Sequence, residues 1–161
     1  MAHAMTDRSW SIASNSGRAS IVSRAISPAP AAGKLVCSFE IEGAAWRRSR
    51  PLSDASLTRD FRVELSQVVV RIDLLEALRL RLVEWQVNPS DFVCSLCDAD
   101  EGDQQLELSI GRDEELIYTA GKPACILSYV CGAVMAGRWA FVVDQSCIRL
   151  CADDLARFSR G

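Results

Sequence analysis

Between Asp60 and Gln86 the hydrophobic pattern of this chain changes its period, and that change restricts the folds open to it. Phe61, Val63 and Leu65 alternate with Arg62, Glu64 and Ser66, the period of two that marks a half-buried strand. Val68, Val70 and Ile72 alternate as well, but their parity has slipped by one across Ser66 and Gln67. A single added residue sends every later side chain to the opposite face, so either a bulge or a tight turn belongs there. With no Gly or Asn to take positive φ, the two readings stand level. From Leu74 the period is helical: Leu75, Leu78, Leu82 and Trp85 share one side, while Glu76, Arg79, Arg81 and Glu84 take the others. Asp73 and Glu76 have the spacing of a capping box, and Asn88 with Pro89 ends the helix. A strand followed by a capped amphipathic helix predicts a helix laid across a sheet.

The chain has 161 residues, 49% of them hydrophobic, enough for one domain with its own core. Residues 1–34 are rich in Ser and Ala, contain Pro28 and Pro30, and show neither period, which predicts a disordered or poorly ordered tail. Their Arg- and Ser-rich, acid-poor character also resembles an organelle transit peptide. Residues 35–161 are expected to form a single α+β domain. Its first strand is Leu35–Ile41, ending at Gly43, with a linking loop from Gly43 to Arg59. After the helix come candidate strands at Phe92–Leu96, Leu106–Ile110, Leu116–Thr119 and Cys125–Cys131, then a small-residue link over Gly132–Gly137. Trp139, Phe141 and Val143 alternate in a strand for which Cys147–Cys151 is the expected hairpin partner. Asp153 or Asp154 would cap a short C-terminal helix with Leu155 and Phe158 as its apolar face. The fold class is therefore α+β, a mainly antiparallel sheet with one long amphipathic helix packed on it and a short C-terminal helix.

Several chemistries are disfavoured. No apolar run approaches the ~20 residues of a membrane span. The net charge of −3, with Arg8, Arg18, Arg24 and Lys34 set against Asp7 in the first 34 residues, leaves a mildly acidic body and makes nucleic-acid binding unlikely on electrostatic grounds. His3 is the one histidine, and it falls in the expected tail, so the folded body lacks the commonest general base and neutral metal ligand. The expected chain is non-enzymatic and needs no cofactor. Seven scattered cysteines, an odd number without a secretory signal, suit a reducing cytoplasm. Cys94 and Cys97 form a C-x-x-C and Cys147 and Cys151 a C-x-x-x-C, so a four-thiolate zinc site or a redox pair at Cys94 and Cys97 stands as the alternative. Strand-like surroundings speak against zinc, because residues four apart on a strand lie ~13 Å from each other.

Two charged stretches are candidates for partner binding. Asp98, Asp100, Glu101 and Asp103 lie around a glycine but out of register for a calcium loop. Asp113, Glu114 and Glu115 follow, and if the two turns lay side by side they would form one acidic patch for a basic partner. The alternative is the basic loop of Trp46, Arg47, Arg48 and Arg50, suited to phosphate or a stacked base. Gly121 and Lys122 lack the remaining elements of a Walker motif.

From Leu35 to Phe158 the order of features, an opening FEIEG strand, paired strands, a Leu-rich helix ending in Trp and further strands, resembles bacterial immunity proteins of the WapI type. That resemblance implies an acidic, non-enzymatic protein that neutralises a toxin domain, and it carries over no site residue. A protein partner is thus the leading expectation, with a self-associating structural component as a further alternative.

Overall fold

A computed structural model describes residues 8–28, 32–43, 45–47, 62–97, 104–111, 122–132 and 135–160. Nine strands and two helices appear among them. They are β1 (Ser9–Ala13), β2 (Ser20–Pro28), β3 (Lys34–Glu42), β4 (Ala45–Arg47), β5 (Arg62–Arg71), α1 (Ile72–Val87), β6 (Phe92–Ser95), β7 (Gln104–Gly111), β8 (Ala124–Cys131), β9 (Met135–Val142) and α2 (Gln145–Arg160). Every strand pairing is antiparallel, in a four-stranded sheet of order β1-β2-β3-β5 and a five-stranded sheet of order β4-β9-β8-β7-β6. The fold class is α+β, as the periodicities predict.

The parity slip in β5 is a bulge, not a hairpin. Cys37 of β3 pairs with Val68 and Phe39 with Leu65, so three steps on β5 oppose two on β3. Leu65 and Val68 both face the core, with the exposed Ser66 and Gln67 between them. Gln67 takes the positive φ, at 57°, that no Gly or Asn was there to supply. Its strained turn is held by Gln104 at the start of β7, whose side-chain amide donates to the Gln67 carbonyl at 3.2 Å and whose Oε1 accepts from the Val69 N–H at 3.2 Å. The same Nε2 donates to the Tyr129 hydroxyl at 3.3 Å. Next to it, Arg71 N donates to Leu96 O at 3.0 Å, so the edge of the first sheet is tied to the second.

Helix α1 buries the predicted stripe of Leu75, Leu78, Leu82 and Trp85, and it ends at Asn88. Its start differs from the expected capping box. The helix begins at Ile72, and Asp73 instead takes both the Nε (2.9 Å) and an NH2 group of Arg71, while Glu76 is held by Arg79. Arg71 lies one residue before the helix and competes for the carboxylate that would otherwise have capped it.

Several expectations are overturned. Residues 9–28, within the expected tail of 1–34, form the hairpin β1–β2, and Trp10, Ile12 and Ile21 are among the most deeply buried side chains, with Trp10 edge-on to Phe39 at 6.1 Å. Part of the Gly132–Gly137 link belongs to β9: Gly137 is a strand residue, and the Trp139 ring lies 2.5 Å from where a Cβ at that position would stand. Cys147–Cys151 is helical, and α2, at 16 residues, is as long as α1. Its buried residues Ile148, Cys151, Ala152, Leu155 and Phe158 follow the helical period. The cap is Asp144, not Asp153 or Asp154: its Oδ1 accepts from Cys147 N at 3.0 Å and Ser146 Oγ at 2.6 Å, and its carbonyl accepts from Ile148 N. Trp46 and Arg47, expected in a loop, form β4 with Trp46 opposite Trp139. The candidate strand Leu116–Thr119 lies outside the described residues.

Helix α2 also seals an open edge. Asp154 accepts from the backbone N–H of Ser11 at 3.2 Å and from its hydroxyl at 3.1 Å, which covers part of the free side of β1. Arg8 Nε donates to Phe158 O at 2.7 Å, with its guanidinium 4.8 Å from the Phe158 ring centre. Both sheets and both helices contribute to one contiguous apolar cluster.

Two outcomes follow from these backbone devices. Gln67→Gly should raise stability by about 1 kcal/mol in denaturant titration, since only a Cβ-bearing residue is strained at that φ; a loss instead would mean that the Gln67 side chain matters more than its backbone. Asp144→Ala should cost about 1 kcal/mol at neutral pH, the range for an exposed N-cap. The Ser146 hydroxyl, then the Cys147 N–H, hold the Asp144 carboxyl down to about 2. Because the folded value lies below the unfolded one, the contribution is complete above about pH 4 and disappears as pH falls through about 2. The wild-type and variant stability curves should therefore converge in acid, and a gap that persists there would place the effect elsewhere.

Candidate functional site

The turn between β1 and β2 builds one side of a polar groove where the two sheets meet. Ser14 N donates to Ala19 O at 2.8 Å, Gly17 turns the chain at a φ of 74°, and the Ser14 and Ser16 hydroxyls accept from the N–H groups of Ala19 and Arg18. The turn is thus satisfied from within and presents the Arg18 side chain outward. Asn15 N reaches across to Val142 O, at 3.3 Å, at the end of β9. On the opposite wall Val143 N donates to Pro123 O at 3.0 Å, which fixes the position of Lys122 beside that end. Gly43 forms the floor. It has a φ of 64°, and a Cβ there would stand 2.1 Å from the Arg18 carbonyl oxygen, so only glycine lets the end of β3 approach the turn this closely. The groove has a volume of about 300 Å³, and its polar lining is Ser14, Asn15, Ser16, Arg18 and Lys122.

A second, wider groove of about 710 Å³ opens at the start of α1, between Gly33, Lys34, Arg71, Asp73, Glu76 and Ser159. Its charges are engaged with one another. The Arg71 guanidinium beside Asp73 holds that carboxyl below its usual range, and the Arg79 guanidinium does the same for Glu76. A third, small groove between the helices is lined by Gln86, Gln145, Ser146 and Arg149.

The cysteines do not form a centre. Among the described residues no three or more His, Cys, Asp or Glu side chains gather where they could hold a metal. Cys147 and Cys151 are one helical turn apart, closer than a strand would have put them, but they have different surroundings. Cys151 is buried against Cys125, whereas Cys147 sits half-buried beside the Asp144 cap. Cys94 lies near Arg81 on β6, and Cys97 is buried near Cys37 and Tyr129. Burial pushes the Cys37 thiol up to about 12 against the smaller pull of the Ser23 hydroxyl and Arg8, and burial likewise raises Cys94, Cys125, Cys147 and Cys151. None of the seven cysteines is joined in a disulfide.

The acidic candidates Asp98, Asp100, Glu101, Asp103, Asp113, Glu114 and Glu115 lie outside the described residues, as do Arg48 and Arg50 of the basic loop. Their attachment points are described. The first acidic group connects Cys97 to Gln104 at one end of β7, and the second follows Gly111 at the other end. An eight-residue strand separates those ends by about 24 Å. The described attachment points of the two segments thus lie at opposite ends of β7. Sequence reasoning missed the inter-sheet groove because the residues 1–34 were expected to be a tail. The available signal was the turn Ser14-Asn15-Ser16-Gly17 between two alternating runs.

In comparison with known proteins, no family model, no curated protein and no solved structure matches the chain.

In a variant carrying Cys97→Ser and Cys131→Ser, the five remaining thiols should show no thiolate absorbance below about pH 8.5, the ordinary cysteine value. Ionisation near neutrality, or stoichiometric zinc in wild-type protein purified without chelator, would establish the thiol chemistry that burial opposes here.

Proposed function

We propose that this chain is a non-enzymatic protein-binding module of the reducing cytoplasm, of the immunity-protein kind, that engages a basic partner such as a toxin domain. The observation that carries the reading is the base of the β6–β7 hairpin. Ser95 pairs with Glu107, Leu96 N donates to Leu106 O at 2.8 Å, and Gln104 is clamped to the β5 bulge. The segment holding Asp98, Asp100, Glu101 and Asp103 thus springs from a firmly bonded platform, which lowers the ordering cost of docking. Asp113, Glu114 and Glu115 form a separate contact in this reading. The raised Cys94 thiol supports it against redox chemistry at Cys94 and Cys97, and the absence of a helix long and apolar enough to cross a membrane, among the described residues, is consistent with it.

Self-association is a second reading, favoured by Val93, which is 64% exposed on the edge strand β6. Sedimentation separates the two: a concentration-dependent dimer that Val93→Lys abolishes would favour self-pairing.

The acidic site is tested by Asp100→Lys, Glu101→Lys and Asp103→Lys together. Against a basic partner recovered on the wild-type protein at low salt, the triple variant should bind at least ~10-fold more weakly and lose most of the salt dependence. Unchanged affinity would remove these residues from the interface.

A further inference from the structure

We propose that the groove where the β1–β2 turn meets the end of β9 is a binding site for a small phosphate-bearing anion, held by Arg18 and Lys122 with Asn15 beside them. This site is independent of the acidic hairpin and of the protein-binding reading. Among the described residues with described side chains, most arginines are engaged: Arg24 and Arg62 with Glu40, Arg71 with Asp73, Arg79 with Glu76, Arg81 with Glu84 and Arg157 with Asp154. Arg8 and Arg160 donate to backbone carbonyls. Arg18, Lys122 and Arg149 make no such side-chain contact, and two of these three line the same groove.

No carboxylate is among the described residues that line that groove. Among the described residues, the acids that flank the groove are committed elsewhere, Glu42 to Arg62 and Asp144 to the cap of α2, while Asp113, Glu114 and Glu115, which precede Lys122 in the chain, lie outside the described residues. Two cations on opposite walls, one a planar fork and one a point charge, suit a compact dianion better than a lone carboxylate. The N–H groups of Ser14, Asn15, Gly17, Arg18 and Ala19 are already bonded, so the donors open to a ligand include the Arg18 guanidinium, the Lys122 ammonium and the Asn15 side-chain amide. The floor is rigid. Gly43 sits in contact with the Arg18 backbone, and Asn15 is bonded to Val142, so the cationic walls are held by both sheets instead of hanging on a loose loop. A volume of about 300 Å³ admits a phosphate with a small organic group and excludes a large cofactor.

The test is an amide chemical-shift titration of the full chain with inorganic phosphate and, separately, with pyrophosphate, in each case against sodium chloride at matched ionic strength. Saturable shifts confined to the neighbourhood of Asn15, Arg18, Gly43, Lys122 and Val142 are expected. Arg18→Ala with Lys122→Ala, both exposed positions that leave the core intact, should weaken the apparent affinity at least ~10-fold, whereas Arg149→Ala should leave it unchanged. Tighter binding of pyrophosphate than of phosphate would identify the ligand as a diphosphate, and equal binding would identify a single phosphoryl group. Shifts that track ionic strength alone, that spread over every basic residue, or that survive the Arg18 and Lys122 double substitution would overturn the proposal.

Discussion

One extra residue in β5 governs where most of the later chain goes. Without the bulge at Ser66 and Gln67, Val68 and Val70 would point to solvent while Leu65 pointed inward, and α1 would leave the strand with its Leu and Trp stripe turned away from the core. The bulge is unfavourable by itself, since Gln67 occupies a conformation better suited to glycine. It is held from outside its own sheet. Gln104 bonds both sides of the bulge, and Leu96 accepts from Arg71 a few residues on. The register of the first sheet therefore depends on a glutamine and a carbonyl of the second.

That dependence explains what could be read from the sequence and what could not. The bulge left a visible trace, because it shifts a hydrophobic pattern by one, and the helix that follows has a clean apolar stripe. Gln104 left none: one glutamine beside another looks like any polar strand end. Strand β2 escaped notice for a different reason. Its inward residues include Ser23 and Ala25, and its outward ones Val22 and Ile26, so apolarity is nearly equal on its two faces. Trp10 and Ile12 in β1 did alternate with serines, but the surrounding Ser- and Ala-rich composition outweighed five residues of pattern. In α2 the cysteines were taken for strand residues, although Ile148, Cys151, Leu155 and Phe158 recur at helical intervals and Asp144 stands at the capping position. The acidic turns were recognisable as charge, but strand order decides at which end of a sheet each is rooted, and no local signal encodes that order. The cationic groove was equally hidden, since Arg18 and Lys122 are more than a hundred positions apart.

Electrostatically, much of the described surface is a set of local pairs. Glu40 is shared between Arg24 and Arg62 across neighbouring strands, and α1 and α2 each carry pairs three residues apart. Pairs this exposed contribute little to stability. Their effect is to neutralise the faces they occupy, which leaves the unpaired Arg18 and Lys122 as the place where positive potential is least cancelled by described neighbours. The first acidic connection is rooted at one end of β7, and the cationic groove shares the other end with the root of the second.

The bonds from Ser11 to Asp154 and from Arg8 to Phe158 join residues 143 and 150 positions apart. During synthesis Ser11 of the hairpin β1–β2 precedes, by 143 residues, the Asp154 that shields the hairpin's outer edge. Until then β1 presents unpaired backbone to its surroundings, in a chain whose contacts are predominantly long-range. A nascent chain of this kind spends its vulnerable period with an open sheet edge, and translation speed through the region encoding α2 becomes a determinant of how much of it reaches the folded state.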